Sequence, residues 1–204
     1  MLSAIILAAG ESSRMGSPKA LLQWRGLPFI EHVCAALREA GIPDRVVVLG
    51  RDSERILAAW RPGGEKVAVN PRPEDGQLSS LRAGLEAAEK DSAAFLVCLA
   101  DQPTIAPGTY RAVLDCWLAN RGSVVIPRFF RASDARLKRG HPIVIPAVQR
   151  GLCFEGPLEK GLHWVTHHPA VKVLDLDVKD PEIIRDIDTP EDYAALITKP
   201  NYVK

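Results

Sequence analysis

Five short runs of aliphatic and β-branched residues punctuate the first two thirds of the chain: "AIIL" near residue 5, "RVVVL" at 45–49, "KVAV" at 66–69, "AFLVCLA" at 94–100 and "SVVIP" at 123–127. Each reads as a buried strand. Between them apolar residues recur at helical spacing: Ile30, Val33, Leu37 and Ala40, then Leu81, Leu85 and Ala88, then Val113, Leu114 and Leu118. Further on, "VKVLDLDVKDPEIIRDIDTPEDYAALI" predicts another strand, a turn through Pro181 and a final helix from about Thr189. Thr189 offers a capping hydroxyl, Pro190 a first-turn proline, and Glu191 and Asp192 negative charge near the positive end of the helix dipole. This alternation of strand and helix predicts an α/β fold, a Rossmann-like three-layer α/β/α sandwich with a mostly parallel sheet. In such sheets ligands gather beyond the carboxyl ends of the strands.

At 204 residues, with no stretch that reads as a linker, the chain is expected to form one domain spanning 1–204. Lys and Arg number 26 against 25 Asp and Glu, so the overall balance gives no reason to expect nucleic acid or a membrane surface as partner. Electrostatic function must therefore be local. Cys34, Cys98, Cys116 and Cys153 are scattered, with no Cys-x-x-Cys pair and no histidine at metal-ligand spacing, which predicts reduced core thiols. The opening apolar run has no basic start and breaks at Gly10; it is too short for a signal peptide or a membrane span, and a cytoplasmic protein is expected.

The strand-end rule selects the loops to read for chemistry. The first strand leads into "AAGESSRMGSPK", the third into "NPRPEDGQLSS" and the fourth into "ADQP". The first loop is neither of the familiar nucleotide loops: it lacks Gly-x-Gly-x-x-Gly, and five residues separate Gly10 from Gly16, with Ser17 and Pro18 before Lys19. It keeps their physical purpose, since glycines let backbone N–H groups approach oxyanions, serines add donors, and Arg14 and Lys19 bring positive charge. The basic run "RFFRASDARLKRGHP", with Arg128, Arg131, Arg136, Lys138 and Arg139 against Asp134 alone, reads as a mobile, solvated loop.

"LAAGESSRMGSPKALL" resembles the signature of a nucleotidyltransferase superfamily. With "DGQLSSLRAGL", "LADQP", "RGHP" and "DIDTPEDY" following in order, the chain looks like a member of the MobA-like NTP transferases. Within these it is most similar to the cytidylyltransferases that join CMP to molybdopterin, which have the nucleotide-diphospho-sugar transferase type of fold. The five blocks run from residue 7 to residue 193. The resemblance implies that Leu7, Ala8, Ala9 and Gly10 lie along base and ribose, and that Gly76 and Ser80 line the base pocket, with Asn70 a weaker ribose or phosphate contact. Arg14 and Lys19 would be catalytic, holding the triphosphate and neutralising charge on the α-phosphate as pyrophosphate departs. Asp101 of "LADQP" would be catalytic and bind Mg²⁺, a cation suited to one or two carboxylates plus phosphate oxygens and water. Asp186 and Asp188 lie two apart, on one side of an extended segment; the resemblance favours Asp186 as the second metal ligand, with Asp188 the alternative. His141 of "RGHP" would face the acceptor, and the remaining histidines carry no motif. Ser79 or Ser80 is also suited to capping the helix that follows.

The implied reaction is transfer of CMP from CTP to a phosphate monoester with release of pyrophosphate. Such a phosphate is already largely ionised, with a second pKa of about 6, so no protein base is needed. The absence of a Ser/His/Asp set or of paired acid and base carboxylates fits that chemistry. Implied partners are CTP, the molybdopterin cofactor and, transiently, a molybdoenzyme or its chaperone. The alternatives are guanylyl transfer, nucleotidyl transfer to a sugar phosphate, and a non-catalytic carrier of nucleotide or cofactor.

Overall fold

The computed structural model describes residues 1–10 and 16–198. Its strands are β1 (Leu2–Ala8), β2 (Gln23–Trp24), β3 (Leu27–Pro28), β4 (Asp44–Leu49), β5 (Lys66–Val69), β6 (Ala94–Leu99), β7 (Val124–Arg131), β8 (Arg136–Arg139), β9 (Ile143–Pro146) and β10 (Val173–Asp177). The helices are α1 (Phe29–Glu39), α2 (Ser53–Ala59), α3 (Gln77–Ala87), α4 (Pro107–Ala119), α5 (Arg150–Glu155), α6 (Gly161–Thr166) and α7 (Pro190–Thr198). Among the described residues, β2 and β3 form a separate ribbon. The other strands make one sheet in the order β10-β7-β9-β6-β1-β4-β5, with β8 hydrogen-bonded to β7.

Alternation along each strand builds the three layers. Ile6, Val47, Leu49 and Leu96 pack with Ile30, Val33 and Leu37 of α1 and Tyr110, Val113 and Trp117 of α4. Their neighbours Ile5, Val46, Val48 and Val97 face the other way, onto Leu78, Leu81 and Leu85 of α3 and Leu162 and Val165 of α6. β4 is buried along its whole length, as befits a parallel strand covered by helices on both faces. β5 is not: it closes one edge of the sheet and is only partly covered, so "KVAV" departs from the buried strand its composition predicts.

The sheet is parallel except around β9, which runs antiparallel to both β6 and β7. The basic run is the other departure. Instead of a loop, Arg128–Arg131 pair with Arg136–Arg139 in a hairpin. Acids two apart on β10 counter its charge: Asp175 ion-pairs with Arg139 and Arg128, and Asp177 with Arg128, while Arg131 is taken by Asp134. Apart from Asp134, the acids that neutralise the run lie 36 to 49 residues away in sequence, which a local charge count does not register. No helix among the described residues is long and apolar enough to cross a membrane.

Candidate active site

β1 and β6 are adjacent and parallel, so the segments leaving their carboxyl ends adjoin. Between them and the start of α3 lies a cavity of about 260 Å³ whose lining includes Leu7, Ala9, Gly10, Gly76, Ser80 and Asp101. Ala8 lies on the neighbouring side, where a smaller pocket joins it to Lys19 and Asp101. Gly76 carries φ 89°, a backbone state L side chains rarely adopt, and this turns the chain from the Pro73–Asp75 turn into α3. No side chain caps α3. Ser79, a capping candidate from sequence, instead donates to the carbonyls of Gly76 at 2.8 Å and Arg72 at 3.2 Å. Asn70 is buried and does not line the cavity. Its amide donates to Ser79 Oγ at 2.8 Å and Ser80 Oγ at 3.0 Å, so it supports the wall behind Ser80. Arg14 lies outside the described residues.

Lys19 begins a short 3-10 turn after Pro18 and reaches the carboxylates: its Nζ lies 3.3 Å from Asp101 Oδ2 and also bonds Asp188 Oδ1. Burial disfavours the Lys19 charge, but the hydrogen bond to Asp188 and the charge of Asp101 outweigh it and hold the ammonium above its ordinary value. The pKa of Asp101 is raised as well, which for a carboxylate disfavours the charged form. Burial raises its pKa, Lys19 opposes the rise, and the charges of Asp186 and Asp188 add to it. The alternation expected for "DID" is present: Ile187 is 1% exposed in a small core with Phe29 and Leu196, which leaves Asp186 and Asp188 at the surface on the other side. Their partners differ. Asp188 joins Lys19, whereas Asp186 accepts from Gln102 Nε2 at 2.9 Å. Thr189 caps α7, its Oγ1 accepting from the Asp192 N–H at 3.1 Å while Asp192 accepts from the Thr189 N–H at 2.9 Å.

A second, larger cavity of about 540 Å³ abuts the first and shares Gln77 and Leu99 with it. Its lining includes His141, Gln102, Asp186 and Lys138. The register of β7 slips by two residues between the Arg128↔Arg139 and Val125↔Val144 pairs, so "GHP" forms a bulge joining β8 to β9. The Gly140 N–H donates to Pro127 O, and the His141 N–H donates to Ile183 O at 3.0 Å. A Cβ on Gly140 would stand 1.9 Å from Ile183 O, so only glycine admits this approach. Burial pushes the His141 imidazole down to about 4, and it is neutral at physiological pH.

Several lining residues carried no assignment from sequence, Gln102, Gln77, His163 and His167 among them. Gln102 sits inside the quoted "LADQP", so its block was legible although its role was not. Gln77 opens α3. His163 and His167 stack with ring centroids 3.7 Å apart; their four-residue spacing on a helix was the available signal.

Among the described residues no group of three or more His, Cys, Asp or Glu side chains is arranged to hold a metal by itself. The residues nevertheless fit a hard divalent cation that takes its remaining ligands from phosphate and water. Asp101 is half-buried, and beyond its desolvation the charges of Asp186 and Asp188 raise its pKa; a cation among them would relieve that repulsion.

A mostly parallel α/β sheet thus gathers a lysine and three aspartates at its strand ends beside two adjoining cavities, and comparison with known proteins gives the class, nucleotidyltransferase. The MobA-like NTP transferase domain matches residues 4–170, and the chain belongs to that family. It is 31% identical over 202 residues to the "Probable molybdenum cofactor guanylyltransferase" of Nostoc sp., spanning 96% of this chain and 90% of that protein. It is 32% identical over 149 residues to the "Nicotine blue oxidoreductase" of Paenarthrobacter nicotinovorans, spanning 72% of this chain and 71% of that protein. The crystal structure of Rv0371c from Mycobacterium tuberculosis superposes with a TM-score of 0.85 at 27% identity, covering 97% of each chain. Its manganese complex superposes at 0.80 with 26% identity, covering 98% of this chain and 99% of that one.

Proposed function

We propose that the chain, working as one unit over 1–204, is a Mg²⁺-dependent cytidylyltransferase that moves CMP from CTP to the phosphate of molybdopterin and releases pyrophosphate. The observation that carries this reading is the pair of abutting cavities, with Asp101 lining the smaller and Asp186 the larger. A transferase needs two substrates held with reacting atoms in contact range, and here a carboxylate of the site stands in each compartment. The donor nucleotide takes the smaller cavity. Ala9 and Gly10 lie along base and ribose, Gly76 and Ser80 read the base edge, and Lys19 with Arg14 neutralises the phosphates. A Mg²⁺ ion held by Asp101 and Asp186 would screen the charge of the triphosphate. Asp186 suits this better than Asp188, because Asp186 lines the larger cavity and Asp188 lines neither.

An oxygen of the acceptor phosphate attacks the α-phosphorus, the bond from that phosphorus to the bridging oxygen breaks, and the electron pair leaves with pyrophosphate. Lys19 faces the charge that develops on the α-phosphoryl oxygens, and the site acts by position and electrostatics. The acceptor occupies the larger cavity beside His141. Guanylyl transfer is the second reading, favoured by the name of the Nostoc relative.

Pyrophosphate release measured with each NTP, with and without molybdenum cofactor, separates the readings. CTP-specific, acceptor-dependent release is expected, and turnover with GTP alone would remove the cytidylyl assignment. Asp101→Ala is expected to lower the rate by about 10²-fold or more; near wild-type product formation with magnesium present would leave a carrier role instead.

A further inference from the structure

Gln102 is 1% exposed, and its side-chain amide is committed at one end only. Nε2 donates to Asp186 Oδ1 at 2.9 Å and to Ile183 O at 3.2 Å. Both partners are acceptors, so the end between them must be the NH₂ and the amide cannot be turned over. The other end, Oε1, is buried without a hydrogen-bond partner among the described residues, and the same holds for His141 Nε2. Buried polar atoms are ordinarily satisfied, yet these two orphans belong to residues lining one cavity. The remaining walls include Leu99, Ile126, Ile143, Leu162, Ile183 and Ile184. The same lining also carries Arg131, Lys138, Arg139, His163, Thr166 and His167, so it offers apolar faces and hydrogen-bonding edges to a flat ring and cations to a phosphate on the same ligand.

We propose that Gln102 Oε1 and His141 Nε2 together take the edge of a neutral, N–H-bearing planar heterocycle of the acceptor, and that Gln102 thereby positions Asp186. Gln102 Oε1 accepts from the ring N–H, and neutral His141 meets the next edge atom as donor or acceptor. Because the opposite end of the Gln102 amide holds Asp186, a seated ring restrains that carboxylate, and acceptor recognition is coupled to the carboxylates that face the donor phosphates. The proposal rests on the assignment of the larger cavity to the acceptor.

The test uses the full chain with Gln102→Met, which keeps side-chain length without the amide, and His141→Asn. Three quantities are read: fluorescence titration with pterin alone, Mn²⁺ binding in the presence of CTP by electron paramagnetic resonance, and steady-state kinetics. Both variants are expected to weaken pterin binding and raise the acceptor KM by 10-fold or more, leaving the CTP KM within twofold. Only Gln102→Met is expected also to weaken Mn²⁺ binding and lower kcat. Should Gln102→Met melt below the assay temperature, His141→Asn alone must show the acceptor effect with Mn²⁺ binding unchanged. Wild-type pterin affinity in the folded variants, or equal weakening of Mn²⁺ by both, would overturn the proposal. A wild-type protein that binds pterin through Gln102 but transfers no nucleotide would sink the cytidylyltransferase reading and keep this one. Transfer to a sugar phosphate with no pterin binding would sink this one and keep nucleotidyl transfer.

Discussion

Lys19 lies within reach of both Asp101 and Asp188, and a cation held between carboxylates is already aimed where phosphate oxygens would arrive. Lys19→Met is expected to lower kcat by about 10²-fold, and a rate within twofold of wild type would remove the lysine from the reaction. His141 has a consequence for stability. Its folded pKa of about 4 lies below the ordinary 6.5, so as pH falls the unfolded chain takes the proton first. Stability is therefore lost between pH 6.5 and about 4, by ~2 kcal/mol at pH 5, before most carboxylates protonate. Urea unfolding at pH 7 and pH 5 measures this, and the loss should shrink in His141→Asn. An equal loss in that variant would show that other groups carry it. At this scale the sequence named Lys19, Asp101 and His141 because each sits in a motif block. Gln102 escaped because its role depends on which end of its amide is occupied, and that follows from Ile183 and Asp186 more than eighty residues away.

The bulge between β8 and β9 and the 3-10 turn Pro181–Ile184 act as one joint. Gly140 and His141 approach Ile183 through backbone alone, and the same turn leads directly to Asp186. Gly140→Ala would drive a methyl into the Ile183 carbonyl, costing about 3 kcal/mol or more and displacing the segment that carries both aspartates. Thermal unfolding should fall accordingly, with acceptor KM rising more than donor KM; an unchanged melting temperature would show that the approach relaxes freely. β1, β4, β6, α1 and α3 were legible because hydrophobic period and flanking turns agree. The hairpin was not: "RFFRASDARLKR" is polar by composition, and it pairs because Asp175 and Asp177 on β10 meet its arginines. β9 was also missed, since Ile143–Pro146 is four residues bounded by prolines.

Across the whole molecule, the two faces of one sheet share the apolar load. Cys34 and Cys98 belong to one core and Cys153 to the other, while Cys116 is only half-buried. Burial raises the pKa of all four, that of Cys153 to about 11. A thiol reagent is therefore expected to label Cys116 first in the native state and the other three only with global unfolding. Four equally reactive thiols without denaturant would contradict the packing. The sequence by itself determined the strands and helices that repeat with clear period and the five motif blocks, because each depends on residues close together along the chain. Tertiary structure alone decided which partners the two aspartates take, how the basic run is neutralised, and that two cavities meet at Gln77 and Leu99. Those features depend on strand order and on side chains brought together from distant segments, where hydrogen-bond geometry and burial are set by contacts that no local window contains.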